Sequence, residues 1–497
     1  MDSKISEHAD LHSVADTDEE TLVEPIAALD ITPKDPEDVL ARCNVLLGEL
    51  KKFADYCDSR KYLTEYRRKV EYSHFKGDIV KEIEQMQKVG NLNKTVWKIA
   101  YCDKIKTQNL PPGRIHQLVT ASNLTYWEAL WSTAKQQKCI QLLRRHASPI
   151  DIISDSGLTW TKVSTITERR LLMEMAKTGW NWSDSDDDGF GTGTKDEDDM
   201  DIPIVKMAIT LANLAKESRV RYRTPHVHFV LTRINSGNKD IDTILDRIRA
   251  TGATLTTADQ ILPAPAIEDV LEDLVVDERK SFSETLNICC TILLAVVSDI
   301  SHGQVKEEAW FNRNIRRQIE IEDNEHLMQN TLWPAMAGRD LVCTKIAMQR
   351  MREIVDLIGT HSEKERTKLF MGDDSSKSSE QLLEEFQKLS AYPIPSTWRL
   401  PIKIVDELNT DEHSPRLAAT VAKELSDINE SVFIYGWKTG RTTITSNRSA
   451  VKAIERCVEA NRLSDDDVGP DAFIVPTARS LVAKEKERRD GSRECDE

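Results

Sequence analysis

Residues 288–297 (ICCTILLAVV) form the longest apolar run in the chain and contain no charge, glycine or proline. A bilayer span needs about 20 apolar residues, so this run has to be buried by the protein's own chain. With Asn287 before it and Ser298-Asp299-Ile300 after it, the run reads as a hydrophobic strand passing into a helix. The 497 residues leave room for two or three domains, each with its own core. A net charge of −16 argues against a general electrostatic grip on nucleic acid and leaves only a local basic groove open. The first 20 residues have no basic segment followed by an apolar core, so no secretory signal is expected. Nine cysteines without a repeated CxxC pattern fit free thiols in a reducing compartment, cytoplasmic, nuclear or both.

Residues 1–36 are acidic, lack aromatics and contain Pro25, Pro33 and Pro36, which predicts a disordered tail. Order is expected from Asp35-Pro36-Glu37-Asp38, a helix start with proline in the first turn. Leu40, Cys43, Leu47, Leu50, Ala54 and Cys57 form one helical stripe; Phe75, Ile79, Ile83 and Met86 mark a second helix. Together they predict an antiparallel helical hairpin. Residues 148–165 read as a β-hairpin with Ser156-Gly157 as a two-residue turn. Helices at 168–177 and 203–217 flank an acidic loop at 183–201. A strand at 227–231, a helix stopped by Gly252 and a strand at 253–255 complete a βαβ pattern. Residues 37–260 thus make a helical and mixed α/β domain, followed by a linker at 261–280. A second α/β domain is expected at 281–483, with a Ser-rich insertion at 372–401 and a charged tail at 484–497. A helix near 415–425 and strands at 432–435 and 472–475 would complete its parallel sheet.

Several short segments recur in one order: Asn287, Thr291-Ile292-Leu293-Leu294, Val297-Ser298 and Ser301-His302-Gly303. They continue with Ile354-Val355-Asp356-Leu357-Ile358-Gly359, Glu363-Lys364-Glu365-Arg366 and Phe433-Ile434-Tyr435-Gly436. On these segments the chain resembles a eukaryotic family of uncharacterised proteins, domain of unknown function 1308. Ser122-Asn123-Leu124-Thr125, Thr159-Trp160-Thr161-Lys162 and Thr224-Pro225-His226 extend the resemblance back over residues 116–256. The C-terminal region of that family resembles a PIN (PilT N-terminal) nuclease domain.

The resemblance implies a three-layer α/β/α domain with a mainly parallel sheet. It also implies three or four carboxylates at the sheet's C-terminal edge, holding Mg²⁺ or Mn²⁺ to activate water against a phosphodiester. The first of these falls at Cys289, the second at Lys345 or Arg350, and the third at Thr439 in the turn Gly436-Trp437-Lys438-Thr439-Gly440-Arg441. None is an acid. A thiol is a soft ligand that suits Mg²⁺ poorly. A cation about 4 Å from another unit charge costs roughly 4 kcal/mol at an effective dielectric near 20. Lys345, Arg350, Lys438 and Arg441 would instead suit a small anion site for a phosphate or an acidic peptide. The alternative is a divalent-metal-dependent ribonuclease, using Mg or Mn held by relocated carboxylates at Asp299, Glu353 and Asp356.

Other constellations are weaker. Asp184-Ser185-Asp186-Asp187-Asp188-Gly189 resembles the start of a calcium loop, but Lys195 stands where a bidentate carboxylate is needed. Asp151 opposite Lys162 resembles the metal hairpin of restriction-endonuclease-like domains, with Trp160 in place of the second acid. A cross-strand ion pair is the plainer reading. His226 and His228 share a strand face without a third ligand. Arg144-Arg145-His146 and Arg313, Arg316, Arg317 are basic patches expected on helices. Trp310 and Phe311 beside the second patch would suit a stacked base.

The sequence therefore predicts an α/β protein. A helical hairpin and a mixed α/β domain, endonuclease-like in element order, precede a PIN-like domain that has lost its acids. The expected role is a pseudo-nuclease binding or scaffold module with weak RNA or phosphoanion affinity. It would need no cofactor, span no membrane, and take RNA or an acidic protein segment as partner.

Overall fold

The computed structural model describes residues 35–60, 70–99, 112–145, 148–177, 202–275, 277–406, 414–477 and 479–482. Helix α1 (Pro36–Ser59) starts where the Asp35 side chain accepts from the backbone N–H of Asp38, with proline in the first turn. Val39, Cys43, Leu46, Leu50 and Phe53 form its buried stripe. They pack with Phe75, Ile79, Ile83 and Met86 of α2 (Ser73–Ile99) in one core cluster. Helices α3 (Pro112–Thr120) and α4 (Leu124–Lys135) complete this layer, to which α4 adds Leu124, Trp127, Leu130 and Trp131.

The first sheet follows, with strands β1 (Leu142–Leu143), β2 (Ile152–Ser154) and β3 (Thr159–Ser164). Helices α5 (Glu168–Lys177) and α6 (Pro203–Glu217) lead to β4 (His226–Leu231), and α7 (Lys239–Ala250) to β5 (Thr254–Thr257). The strand order is β1-β2-β3-β4-β5, antiparallel through β3 and parallel beyond it. Ile152, Val163 and Val230 belong to the helical layer's cluster, while Trp160, Val227, Phe229 and Leu231 pack with α5, α6 and α7. The strand period of two divides these residues between opposite faces.

The hairpin turn differs from the expected two-residue form. Asp155, Ser156 and Gly157 all have positive φ, in a 3-10 turn that joins Ser154 to its partner Thr159. Thr159 Oγ1 donates to Asp155 Oδ2 at 2.5 Å, which ties the wider turn together. The segment read as a linker holds α8 (Ile267–Leu274), whose Ile267 and Leu274 enter the helical layer's core. Its prolines and acids mask this two-residue contact, since they dominate the local composition.

The second sheet starts with β6 (Thr285–Ile288) and α9 (Cys290–Val297), the apolar run, followed by α10 (Arg313–Glu325) and α11 (Trp333–Met336). Next come β7 (Asp340–Thr344), α12 (Lys345–Ile358), α13 (His361–Met371), α14 (Ser379–Lys388) and β8 (Lys403–Val405). Then follow α15 (Ala418–Ala422), α16 (Asp427–Lys438), β9 (Thr443–Thr445), α17 (Arg448–Asn461) and β10 (Ala472–Ile474). The strands run in the order β10-β9-β6-β7-β8, all parallel. β6 is thus central, which explains a run apolar on every side.

Two expectations change here. Val432-Phe433-Ile434-Tyr435, expected as a strand, lies inside α16, and the strand is Thr443–Thr445. A four-residue apolar run does not distinguish the two states; the close fit of α16 to the sheet does. A Cβ on Gly436 would stand 2.2 Å from Thr443 Oγ1 and 3.0 Å from Asn287 Nδ2. Asn287 Nδ2 in turn donates to the Val432 carbonyl at 2.8 Å. The stretch read as an insertion, 372–401, places Leu382, Phe386, Trp398 and Leu400 in the same core as α9. The two halves meet where Arg219 and Thr224 hydrogen-bond Asp465, Arg221 pairs with Glu278, and Tyr222 lies against Gly469. Among the described residues, no helix is long and apolar enough to cross a membrane.

Gly436→Ala is expected to cost about 1–3 kcal/mol through overpacking against Thr443 and Asn287, read as a lower midpoint in urea. A second expectation concerns Glu322, only 3% exposed. Its Oε1 accepts from the Met328 N–H at 2.9 Å, and its Oε2 has no hydrogen-bond partner among the described residues. Burial pushes its carboxyl up from 4.5 to about 7. The fold keeps this proton to about pH 7 while the unfolded chain releases it near 4.5, so stability falls as pH rises between those values. The loss is about 3 kcal/mol. Glu322→Gln should flatten that decline in denaturant melts taken from pH 5 to pH 8.

Candidate functional site

In a parallel sheet the strand ends converge on one edge, where loops and helix starts gather functional groups. At the C-terminal edge of the second sheet β6 is followed by Cys289, β7 by Lys345, β9 by Ser446 and Asn447, and β10 by Val475, Pro476 and Thr477. Cys289 is buried and caps α9, its sulfur 2.8 Å from Thr291 Oγ1 and 3.1 Å from Thr445 Oγ1. The thiol is thus held inside a hydroxyl pair. Its neighbour Cys290 is half-buried, and burial pushes that thiol up to about 12.

Lys345 opens α12 at this edge, more than half exposed and 3.9 Å from Asp406. Arg350 lies further along α12, exposed and paired with Glu353 at 3.0 Å. Thr439 is misplaced by the sequence reading. It ends α16, which runs directly into the start of β9, so Thr439 and Arg441 lie at the opposite edge from Cys289. There Thr439 Oγ1 donates to the Tyr435 carbonyl and Arg441 binds the Tyr435 hydroxyl. Lys345, Arg350, Lys438 and Arg441 therefore do not form one anion site. The edge position after β9 belongs to Ser446 and Asn447, neither of them acidic.

The alternative acids do not converge either. Glu353 and Asp356 are exposed on α12. Asp299 accepts from Thr360 Oγ1 and Ser362 Oγ, both at 2.6 Å, and pairs with Arg366 at 2.7 Å. Burial would raise its carboxyl, but the bonds from Ser362, Thr360 and Arg366 and the Arg366 charge hold it below the ordinary range. Among the described residues no three His, Cys, Asp or Glu side chains are grouped to hold a metal. A buried thiol inside two hydroxyls and a lysine at the next strand end do not fit Mg²⁺ or Mn²⁺.

The segments that carry the family resemblance meet in a buried polar cluster, a role that their spacing does not reveal. Glu363 Oε1 accepts from the N–H groups of Asp299 and Val482, and its Oε2 from Thr360 N–H. Arg366 also donates to the carbonyls of Val297 and Leu389. His302 is buried and its ring is pushed down to about 3 by burial and by Arg366. It is therefore neutral: Nε2–H donates to the Val296 carbonyl at 2.6 Å, and Nδ1 accepts from Ser390 Oγ at 3.1 Å.

At the same edge of the sheet, an open cleft of about 700 Å³ lies between α10 and the ends of β9 and β10. Arg317, Gln318 and Ile321 form one wall, Ile474, Val475, Pro476 and Thr477 another, with Ser446, Arg448 and Arg479 at the mouth. It continues past Ser449 to Lys452. Of these cations the sequence reading singled out only Arg317. Arg448 and Lys452, four apart at the start of a helix, were the available signal.

In the first sheet Asp151 does face Lys162, at 3.1 Å. Its carboxylate also accepts from Tyr126 Oη at 2.6 Å and Val163 N–H at 2.8 Å, so it is fully engaged in holding the hairpin to α4. His226 Nε2 and His228 Nδ1 both contact Thr254 Oγ1 at 2.7 Å. Arg144 follows β1 rather than sitting on a helix, because it pairs with Asp78 at 2.9 Å and covers Tyr126. Trp310 packs edge-on against Phe311, which is buried with Ile315 beneath α10. The acidic loop 184–195 and His146 lie outside the described residues.

The fold and this edge define an α/β protein whose second sheet ends in hydroxyls, a thiol and cations. Residues 286–390, from β6 to just beyond α14, match the family described as "Protein of unknown function (DUF1308)", and the chain resembles that family. No curated protein and no solved structure matches the chain.

Removing one partner of a buried ion pair leaves an uncompensated charge and costs about 3–5 kcal/mol. Arg366→Ala is therefore expected to lower stability by that amount, measured by chemical denaturation, with Lys364→Ala as a near-neutral control.

Proposed function

We propose that residues 281–483 form a PIN-like domain without nuclease chemistry, a pseudo-nuclease that serves as a binding or scaffold module. The observation that carries this reading is Cys289. Where β6 ends, a metal nuclease needs an exposed carboxylate, and this chain has a buried thiol held by Thr291 and Thr445. The next strand end presents Lys345, which repels a divalent cation. The relocated-carboxylate alternative is disfavoured because Asp299 is engaged by Arg366, Thr360 and Ser362.

An anionic partner, RNA or an acidic protein segment, agrees with the cations along this edge. Free cysteines at Cys289, Cys290 and Cys343 agree with a reducing compartment, cytoplasmic or nuclear. The test is incubation of purified full-length protein with end-labelled single-stranded RNA in Mn²⁺, with an EDTA control. No cleavage is expected even at large protein excess. Cleavage abolished by EDTA and by Asp299→Asn would overturn the proposal in favour of a rebuilt metal site.

A further inference from the structure

We infer that the cleft between α10, the ends of β9 and β10, and the start of α17 is a nucleotide site. It would bind the phosphates at Arg317, Arg448 and Arg479 and the base against Ile321, Ile474, Val475 and Pro476. The inference rests on the reading of this half as a binding module, since the ligand is held and not cleaved.

Charge is the first argument. Arg317, Arg448, Lys452 and Arg479 line the cleft and its extension, and no Asp or Glu lines either among the described residues. In a chain of net charge −16 such a local excess is a departure from the average surface. Arginine's planar fork matches phosphate oxygens in pairs. The N-terminus of α17, at Arg448, lies at the same mouth and adds a favourable field for an anion.

The shape of the cleft is the second argument. The space of about 700 Å³ lies within the range of small-molecule sites, roughly 300–1,000 Å³. Its inner wall is apolar, formed by Ile474, Val475 and Pro476, with Ser446 and Thr477 beside them. Inorganic phosphate would satisfy the cations and leave the apolar wall uncovered.

The third argument is positional. Gln318 Oε1 accepts from the N–H groups of Arg479 at 2.8 Å and Ser480 at 3.0 Å, while its Nε2 donates to Ser480 Oγ at 2.9 Å. Arg479 in turn reaches the Ser446 carbonyl at 3.4 Å. This clasp fixes the Arg479 backbone beside the cleft and joins α10 to the strand ends, leaving the exposed guanidinium to reach into the mouth. A fixed backbone at this point lowers the ordering cost of bringing the Arg479 cation to a ligand.

The test is a fluorescence titration of full-length protein with N-methylanthraniloyl-ADP in EDTA at low salt, competed with pyrophosphate, AMP and oligo(U). Saturable binding is expected, with ADP displacing the probe better than pyrophosphate. Arg479→Ala and Arg448→Ala should each weaken it at least about tenfold, the scale of a charged hydrogen bond to phosphate. Thr477→Val should weaken it less, and Lys438→Ala, at the opposite edge, should leave it unchanged. Absence of saturable binding up to millimolar probe, or binding indifferent to both arginine changes, would overturn the site. Displacement by oligo(U) far better than by ADP would overturn the nucleotide in favour of a polynucleotide strand. Metal-dependent RNA cleavage with intact probe binding would sink the noncatalytic reading and leave this cleft standing. No cleavage and no binding would sink the cleft alone.

Discussion

The second half of the molecule is organised around the buried ion pair of Arg366 with Asp299. A guanidinium in a protein interior has to be neutralised and given acceptors for its five N–H groups. Arg366 places four of the five on Asp299, the Val297 carbonyl and the Leu389 carbonyl. These partners belong to the end of α9, the turn after it, and the stretch following α14. Glu363, one turn earlier on α13, accepts from the N–H groups of Asp299 and Val482 and so draws in the last described segment. Four remote pieces of chain are thereby held to one geometry. The cluster is costly to bury unless complete, which is why it specifies one arrangement.

That cluster also decides what the sheet edge can do. Asp299 is the acid nearest in sequence to Cys289 among the candidates, and its oxygens are already satisfied by Arg366, Thr360 and Ser362. The edge is left with a capped thiol, threonine and serine hydroxyls, and cations drawn from α10, α12, α17 and Arg479. Cations and hydroxyls suit an anion better than a hard metal ion. The basic cleft is built by α10 and the two strands on one side of β6, away from Lys345 and Arg350 on α12. Its cations come from parts of the sequence more than 100 residues apart.

The first half contributes a platform with its own polar anchor. Asp151 takes bonds from Tyr126, Val163 N–H and Lys162, so its likeness to a metal-binding hairpin dissolves into a structural role. The stretch from Arg219 to Thr224 then reaches the second half through Asp465, Glu278 and Gly469. Segment 261–280 adds α8 to the helical layer, so the connection between the sheets is itself part of the first half's core.

Elements whose pattern is long were legible from the residues alone. The spacing of α2, the βαβ unit around α7 and the apolar run at 288–297 each admit one solution, because burial requires a period of 3.6 or 2, or a continuous apolar surface. On α1 the helical period holds, but the buried stripe is Val39, Cys43, Leu46, Leu50 and Phe53. Of the expected stripe only Cys43 and Leu50 are fully buried, with Leu40, Leu47 and Cys57 flanking them. Short elements were not legible. Val432-Phe433-Ile434-Tyr435 suits a strand as well as a helix, and only the contact of Gly436 with Asn287 and Thr443 decides for the helix. That choice moved Thr439 from one edge of the sheet to the other and dispersed the anticipated anion site. Cys289 falls at the junction of β6 and α9 because an apolar run of this length has to pass from strand to helix. Arg448, Lys452 and Arg479 could not be assigned, because their proximity to Arg317 depends on strand order, which a linear pattern does not encode. The sequence by itself determined which long segments must be buried and that no acid stands at Cys289 or Lys345. Tertiary structure alone decided which cations share a cleft, since long-range contacts bring them together.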